Sequence, residues 1–143
     1  MKIQRSSAGG FIQNNKGEFL LVKRSKDDDF LPDLWELPGG GIDFGEEPQK
    51  GLQREIKEEC GLDVEVSFPL CVHTYPMIKD ANEIQRIEIT FLCKLKDVNQ
   101  SVVLSFEHSD YKWIAEREVH AFELSDYMRR VVNDSLRNPL IRR

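Results

Sequence analysis

One segment restricts this chain more than any other. Residues 38–48 read Pro-Gly-Gly-Gly-Ile-Asp-Phe-Gly-Glu-Glu-Pro, and the chain then runs through Arg54-Glu55-Ile56-Lys57-Glu58-Glu59-Cys60 to Gly61-Leu62. Pro38 to Gly41 breaks regular structure, Gly45 permits a turn, and Pro48 suits the first turn of a helix whose positive end is favoured by Glu46 and Glu47. Gly61 ends that helix after Cys60. At 100° per residue, Glu55, Glu58 and Glu59 fall within about a 100° arc, while Leu52 and Ile56 occupy the adjoining face that meets a core.

Two readings of this face stand side by side. It can be a solvated surface, with Arg54 and Glu58 as an i, i+4 pair and Lys50 and Lys57 turned outward. Yet Glu55 and Glu59 are like charges four apart, an arrangement that disfavours the helix unless something positive sits between them. A divalent cation meets that need. Magnesium in particular takes a few carboxylate oxygens and bridges to substrate phosphates.

The rest of the chain alternates strands with a second helix and carries no repeat or low-complexity linker. Residues 8–13 and 18–24 flank the turn-rich Asn14-Asn15-Lys16-Gly17 and predict a β-hairpin, followed by a charged loop from Lys26 to Asp29. Strands are expected within Leu62–Val72, Glu88–Leu95 and Asp110–Ala115. Leu124, Tyr127, Met128, Val131, Val132 and Leu136 recur at helical spacing, which predicts an amphipathic helix packed on the sheet. At 143 residues one α/β domain, residues 1–143, can bury roughly 70% of its unfolded surface without staples.

Composition bounds the partners. A net charge of −5 and a pI near 5.3 argue against a nucleic-acid polymer or an anionic membrane surface, and no apolar run approaches the ~20 residues of a span. Cys60, Cys71 and Cys93 have no metal-type spacing, and no signal-like segment stands at the N-terminus, so the expectation is a reducing cytoplasmic compartment. His73, His108 and His120 share no ligand spacing and are expected to be structural or surface residues. The expected partner is small, and a homodimer is compatible with these features.

From Gly40 the segment reads glycine, five residues, Glu46, seven residues, Arg54-Glu55-Ile56, one residue, Glu58-Glu59, one residue, Gly61-Leu62. This resembles the signature of the Nudix hydrolase family, MutT-like, at every specified position. Such agreement arises by chance at on the order of 10⁻⁹ per start point, so it outweighs the solvated-face reading. The flanking Leu34-Trp35-Glu36-Leu37-Pro38-Gly39 extends the likeness. The resemblance implies an α/β/α sandwich around a mixed β-sheet and hydrolysis of a nucleoside diphosphate linked to another group.

Further roles are implied by the resemblance alone. Glu55, Glu58 and Glu59, with the Gly39 carbonyl, match the family's metal ligands, and Glu46 and Arg54 match the residues that orient them. Glu107 matches the loop glutamate that serves as general base, and Arg24 a position that contacts substrate phosphate in some members. The cofactor implied is Mg2+, with Mn2+ as a substitute, activating a water that attacks a pyrophosphate link. The small size and the LWELPGG approach look most like members that cleave a nucleoside triphosphate to monophosphate and pyrophosphate. The alternatives are an ADP-ribose or sugar-nucleotide diphosphatase and a non-catalytic nucleotide-binding module.

Overall fold

The computed structural model describes residues 1–28 and 31–141. Strands β1 (Lys2–Gln13) and β2 (Phe19–Arg24) form the expected hairpin, closed by the Asn14 N–H donating to the Glu18 carbonyl at 2.9 Å. Lys26 and Asp27 form a turn in the expected loop; Asp29 lies outside the described residues. The run Phe19-Leu20-Leu21-Val22 is apolar throughout because both faces of the sheet are covered. Phe19 and Leu21 enter one core, and Leu20 and Val22 enter the other.

Beyond the pair Gln13↔Phe19, β1 and β2 diverge, and residues 35–41 fill the gap. There β3 (Trp35–Glu36) pairs with β2, and β4 (Gly39–Gly41) pairs with β1 through Gly39↔Gly9, Gly40↔Ala8 and Gly41↔Ser7. The expected break in regular structure at Pro38–Gly41 is therefore corrected to a short strand over Gly39–Gly41, with Pro38 outside it. Glycine permits it by close approach: a Cβ on Gly39 would collide with the Ala8 carbonyl oxygen.

On its other side β1 pairs in parallel with β6 (Asn82–Leu95), from Lys2↔Glu83 to Gln13↔Lys94. β6 pairs antiparallel with β5 (Val64–Lys79), and β7 (His108–Ile114) pairs antiparallel with β2. The result is a seven-stranded mixed sheet. β5 and β6 run well past the expected limits, to Lys79 and from Asn82, and form an arm with the first residues of β1. Lys79, Glu83 and Gln85 in this arm are exposed. Its backbone is satisfied by strand pairing, and Ile84 is buried where it pairs with Ile3 and Met77.

Helix α1 (Pro48–Cys60) has the predicted bounds and ends in Gly61 at φ 69°. It buries Leu52, Ile56 and Cys60 on one face of the sheet, each large aliphatic contributing about 1.5–3 kcal/mol. Helix α2 (Asp126–Arg137) covers the opposite face with Met128, Val131, Val132 and Leu136. Ser125 caps it, its Oγ accepting from the Met128 N–H at 3.1 Å. This is the α/β/α sandwich the resemblance implied. Among the described residues no helix is long and apolar enough to cross a membrane.

Candidate active site

The expected residues converge at the junction of α1 and β4. Glu46 lies before α1, and Arg54 reaches back to it with two bonds, Nε to Oε2 at 2.8 Å and Nη2 to Oε1 at 3.0 Å. The same guanidinium donates to Glu55 at 3.1 Å, to Glu58 at 3.4 Å and to the Gly41 carbonyl at 3.3 Å. Arg54 thereby ties the loop, the helix face and β4 together. Its hydrogen bonds, with a further one from the Asp43 N–H, hold the Glu46 carboxyl down to about 2.

The three helix carboxylates differ in setting. Glu58 is the most exposed, Glu55 is partly buried, and Glu59 is only 3% exposed. Gly40 faces α1 so closely that a Cβ there would stand 2.5 Å from the Glu55 carboxyl carbon. The Gly39 backbone gives Glu59 a hydrogen bond, but Glu59 Oε2 is buried with no partner. Burial first, then the charges of Glu36, Glu55 and Glu107, push the Glu59 carboxyl up to about 9. Glu55 is also raised, chiefly by burial and further by Glu58 and Glu107.

Glu107 thus acts on Glu55 and Glu59 although it comes from a distant loop. The loop is fastened to the end of α1: the Val103 N–H donates to the Cys60 carbonyl at 2.8 Å, and the Ser105 N–H to the Glu59 carbonyl at 3.0 Å. Glu107 itself is exposed, open to solvent and to whatever lies over the helix face.

Among the described residues no three acidic, histidine or cysteine side chains stand preassembled as a metal cage, and Arg54 lies against Glu55 and Glu58. The donor set nevertheless fits a hard divalent cation. It is all oxygen, it leaves one buried carboxylate oxygen without a partner, and its mutual repulsion is what such a charge relieves.

Arg24 and two residues outside the expected set complete the wall. Arg24 donates to Glu36 at 3.1 Å and to Asp28 at 2.6 Å. Glu36 also accepts from His108 Nε2 at 2.9 Å, while His108 Nδ1 stands 3.9 Å from Glu59 Oε1. His108, expected to be a structural or surface residue, is buried, bonded to Glu36 and set beside Glu59. Its only sequence signal is its place next to Glu107, and that of Glu36 is a charge inside an apolar run before the glycines.

On the far side of β4 opens a cleft of about 490 Å3, with Trp35, Glu36, Tyr75, Arg86, Glu88 and Tyr127 among its walls. The Tyr75 and Tyr127 rings touch, with centroids 4.5 Å apart. Glu88 accepts from the Tyr127 hydroxyl at 3.0 Å and from the Ser7 hydroxyl at 3.2 Å. These residues were missed because they come from β1, β5, β6 and α2, which only the fold brings together.

The comparisons with known proteins agree with this geometry. The family model described as NUDIX domain matches residues 3–134. The nucleoside triphosphatase NudI of Enterobacter sp. (strain 638) is 31% identical over 134 residues, covering 88% of this chain and 92% of that protein. NudI of Escherichia coli O17:K52:H18 is 33% identical, covering 85% and 89%. The crystal structure of a MutT protein from Methanosarcina mazei Go1 superposes with a TM-score of 0.75 at 28% identity, over 95% of both chains. A MutT NUDIX hydrolase from Burkholderia pseudomallei gives 0.70 at 25%, over 92% and 97%. With a family match over nearly the whole chain and relatives above 30% identity, the protein belongs to the NUDIX domain family and is a Nudix hydrolase.

Proposed function

We propose that this hydrolase cleaves a nucleoside triphosphate to the monophosphate and pyrophosphate, with magnesium as its cation and manganese as a substitute. One juxtaposition carries the reading. The unpartnered Glu59 oxygen and its carboxylate neighbours lie on one side of β4, and a cleft of about 490 Å3, a volume suited to a nucleotide, lies on the other. The likeness to the NudI relatives, which are named nucleoside triphosphatases, supports the choice of substrate.

In this reading Glu55, Glu58 and Glu59 and the Gly39 carbonyl hold the cation, which supplies neutralisation of the phosphate oxygens and acidification of water. Glu46 and Arg54 fix the helix carboxylates by the hydrogen bonds described. Glu107, close enough to influence Glu55 and Glu59, accepts the proton of the attacking water. Arg24 lines the cleft with its charge shared between Glu36 and Asp28, so it steadies the wall that Glu36 and His108 build. The phosphate contact expected of Arg24 would require those pairs to open.

The test is a product assay of purified protein with magnesium against nucleoside triphosphates, nucleoside diphosphates, ADP-ribose and a sugar nucleotide. Monophosphate and pyrophosphate from a triphosphate, at a kcat/KM well above the other substrates, is the expected result. Preferred cleavage of ADP-ribose or the sugar nucleotide, or tight nucleotide binding without turnover in any divalent metal, would overturn it.

A further inference from the structure

The face of the sheet toward α2 carries a charge arrangement that the metal site leaves unexplained. Strand registers place Arg5, Arg86 and Tyr75 in one row across β1, β6 and β5, and Gly41, Ser7, Glu88 and His73 in the next. Paired residues of neighbouring strands share a face, so Arg5 and Arg86 stand side by side with like charge. Like charges directly opposed in this way are destabilising. Among the described residues neither makes an ion pair. Glu88, two residues along β6, feels the charge of Arg86 without forming an ion pair with it, and its hydrogen bonds go to the Tyr127 and Ser7 hydroxyls.

Arg86 is also the cation of the cleft set against β4. A Cβ on Gly41 would stand 3.4 Å from its Nη1, while the Gly41 carbonyl accepts from Arg54, the residue that holds the helix carboxylates. Gly41 thus separates two guanidiniums, one bonded to the carboxylate face and one in the cleft that forms no ion pair among the described residues. Arg24 lines the same cleft, but its two ends are taken by Glu36 and Asp28. Arg130 reaches the cleft from α2, lying 6.0 Å from the Tyr127 ring centroid.

We propose that Arg86, backed by Arg5, is the seat for the polyphosphate of the substrate, and that Arg24 is a structural cross-link. The inference rests on the reading that a phosphate chain crosses β4 between the helix carboxylates and the cleft. It also orients the substrate. Glu88, in the next row of the sheet, opposes phosphate there and can accept from the N–H groups of a nucleoside set against Tyr127, whose hydroxyl it already holds.

The test uses the full chain and inorganic tripolyphosphate as probe, with binding followed by calorimetry in magnesium. Arg86→Gln should weaken binding about 10- to 100-fold, the range of a lost charge-assisted hydrogen bond, with Arg86→Lys between it and the parent. With a nucleoside triphosphate, Arg86→Gln should raise KM with kcat little changed, while Arg24→Gln should lower the melting temperature and leave tripolyphosphate affinity within about threefold. Arg86→Gln that binds tripolyphosphate like the parent overturns the proposal, as does a loss in Arg24→Gln equal to that in Arg86→Gln. A shift in preference among bases at constant tripolyphosphate affinity would make Arg86 a base reader and equally overturn it. If the parent binds tripolyphosphate through Arg86 but turns over no triphosphate, the seat stands and the triphosphatase reading fails.

Discussion

Among the helix carboxylates Glu58 is the one whose side chain is mostly exposed, at 59%, and this separates its chemistry from its contribution to folding. Glu58→Gln keeps the shape, removes one charge and leaves the buried packing untouched. Turnover with magnesium should fall about 10²- to 10⁴-fold, the weight of several kcal/mol of cation-borne stabilisation, while the melting temperature without metal stays level or rises. Near-parental turnover would remove Glu58 from the cation site. Glu88 gives a pH signature instead. Its carboxyl is held above the ordinary glutamate range, chiefly by burial and also by the charge of Glu36. The native state therefore binds its proton more tightly than the unfolded chain does. The stability it contributes is complete below the ordinary glutamate pKa and is lost as pH rises through the raised native value. Glu88→Gln should flatten that decline, so the two melting-temperature profiles between about pH 4 and 8 should converge or cross as pH rises. Parallel profiles would count against it.

At the scale of elements, the site is a contact between one helix and one very short strand. Gly40 lies over Glu55, and β4 is extended there, so alanine suits its backbone but not its surroundings. In Gly40→Ala the added methyl must push the Glu55 carboxylate aside. Far-ultraviolet dichroism should be preserved and activity should fall about 100-fold, as expected for misplacement near 1 Å; unchanged activity would show that Glu55 has room to spare. The sequence disclosed α1 well because every signal agreed: Pro48 at the start, Gly61 at the stop, and Leu52 and Ile56 on the core face. β4 was hidden because three glycines report freedom, and only the proximity of β1 turns that freedom into pairing. The carboxylates on α1 were legible for the same reason as α1 itself. The wall of Glu36 and His108 was not, since a 2.9 Å bond between residues 72 positions apart leaves no local periodicity.

At the scale of the whole molecule, a chain of net charge −5 concentrates Glu36, Glu55, Glu59 and Glu107 in one place, where burial and mutual repulsion raise the Glu59 carboxyl to about 9. Folding thus stores electrostatic stress that a cation bound there would release. Magnesium should raise the melting temperature with concentration, by about 2.7 kcal/mol of stability when free metal reaches 100 times its Kd, and a chelator should reverse it. Glu58→Gln should blunt the rise; a melting temperature indifferent to magnesium would refute the cation site. The parallel pairing of β1 with β6 has a different consequence, which concerns the order of events during synthesis. Ser7 and Glu88 are joined across 81 positions of chain, and closing so long a loop must precede any gain from the contacts it creates. The hairpin of β1 with β2 and the helix α1 are local and can form on an emerging chain, but the middle of the sheet waits until β6 has left the ribosome. Until then the parallel edge of β1 is bare, which makes the nascent protein most vulnerable to mispairing with a neighbouring copy just before its cleft comes into being.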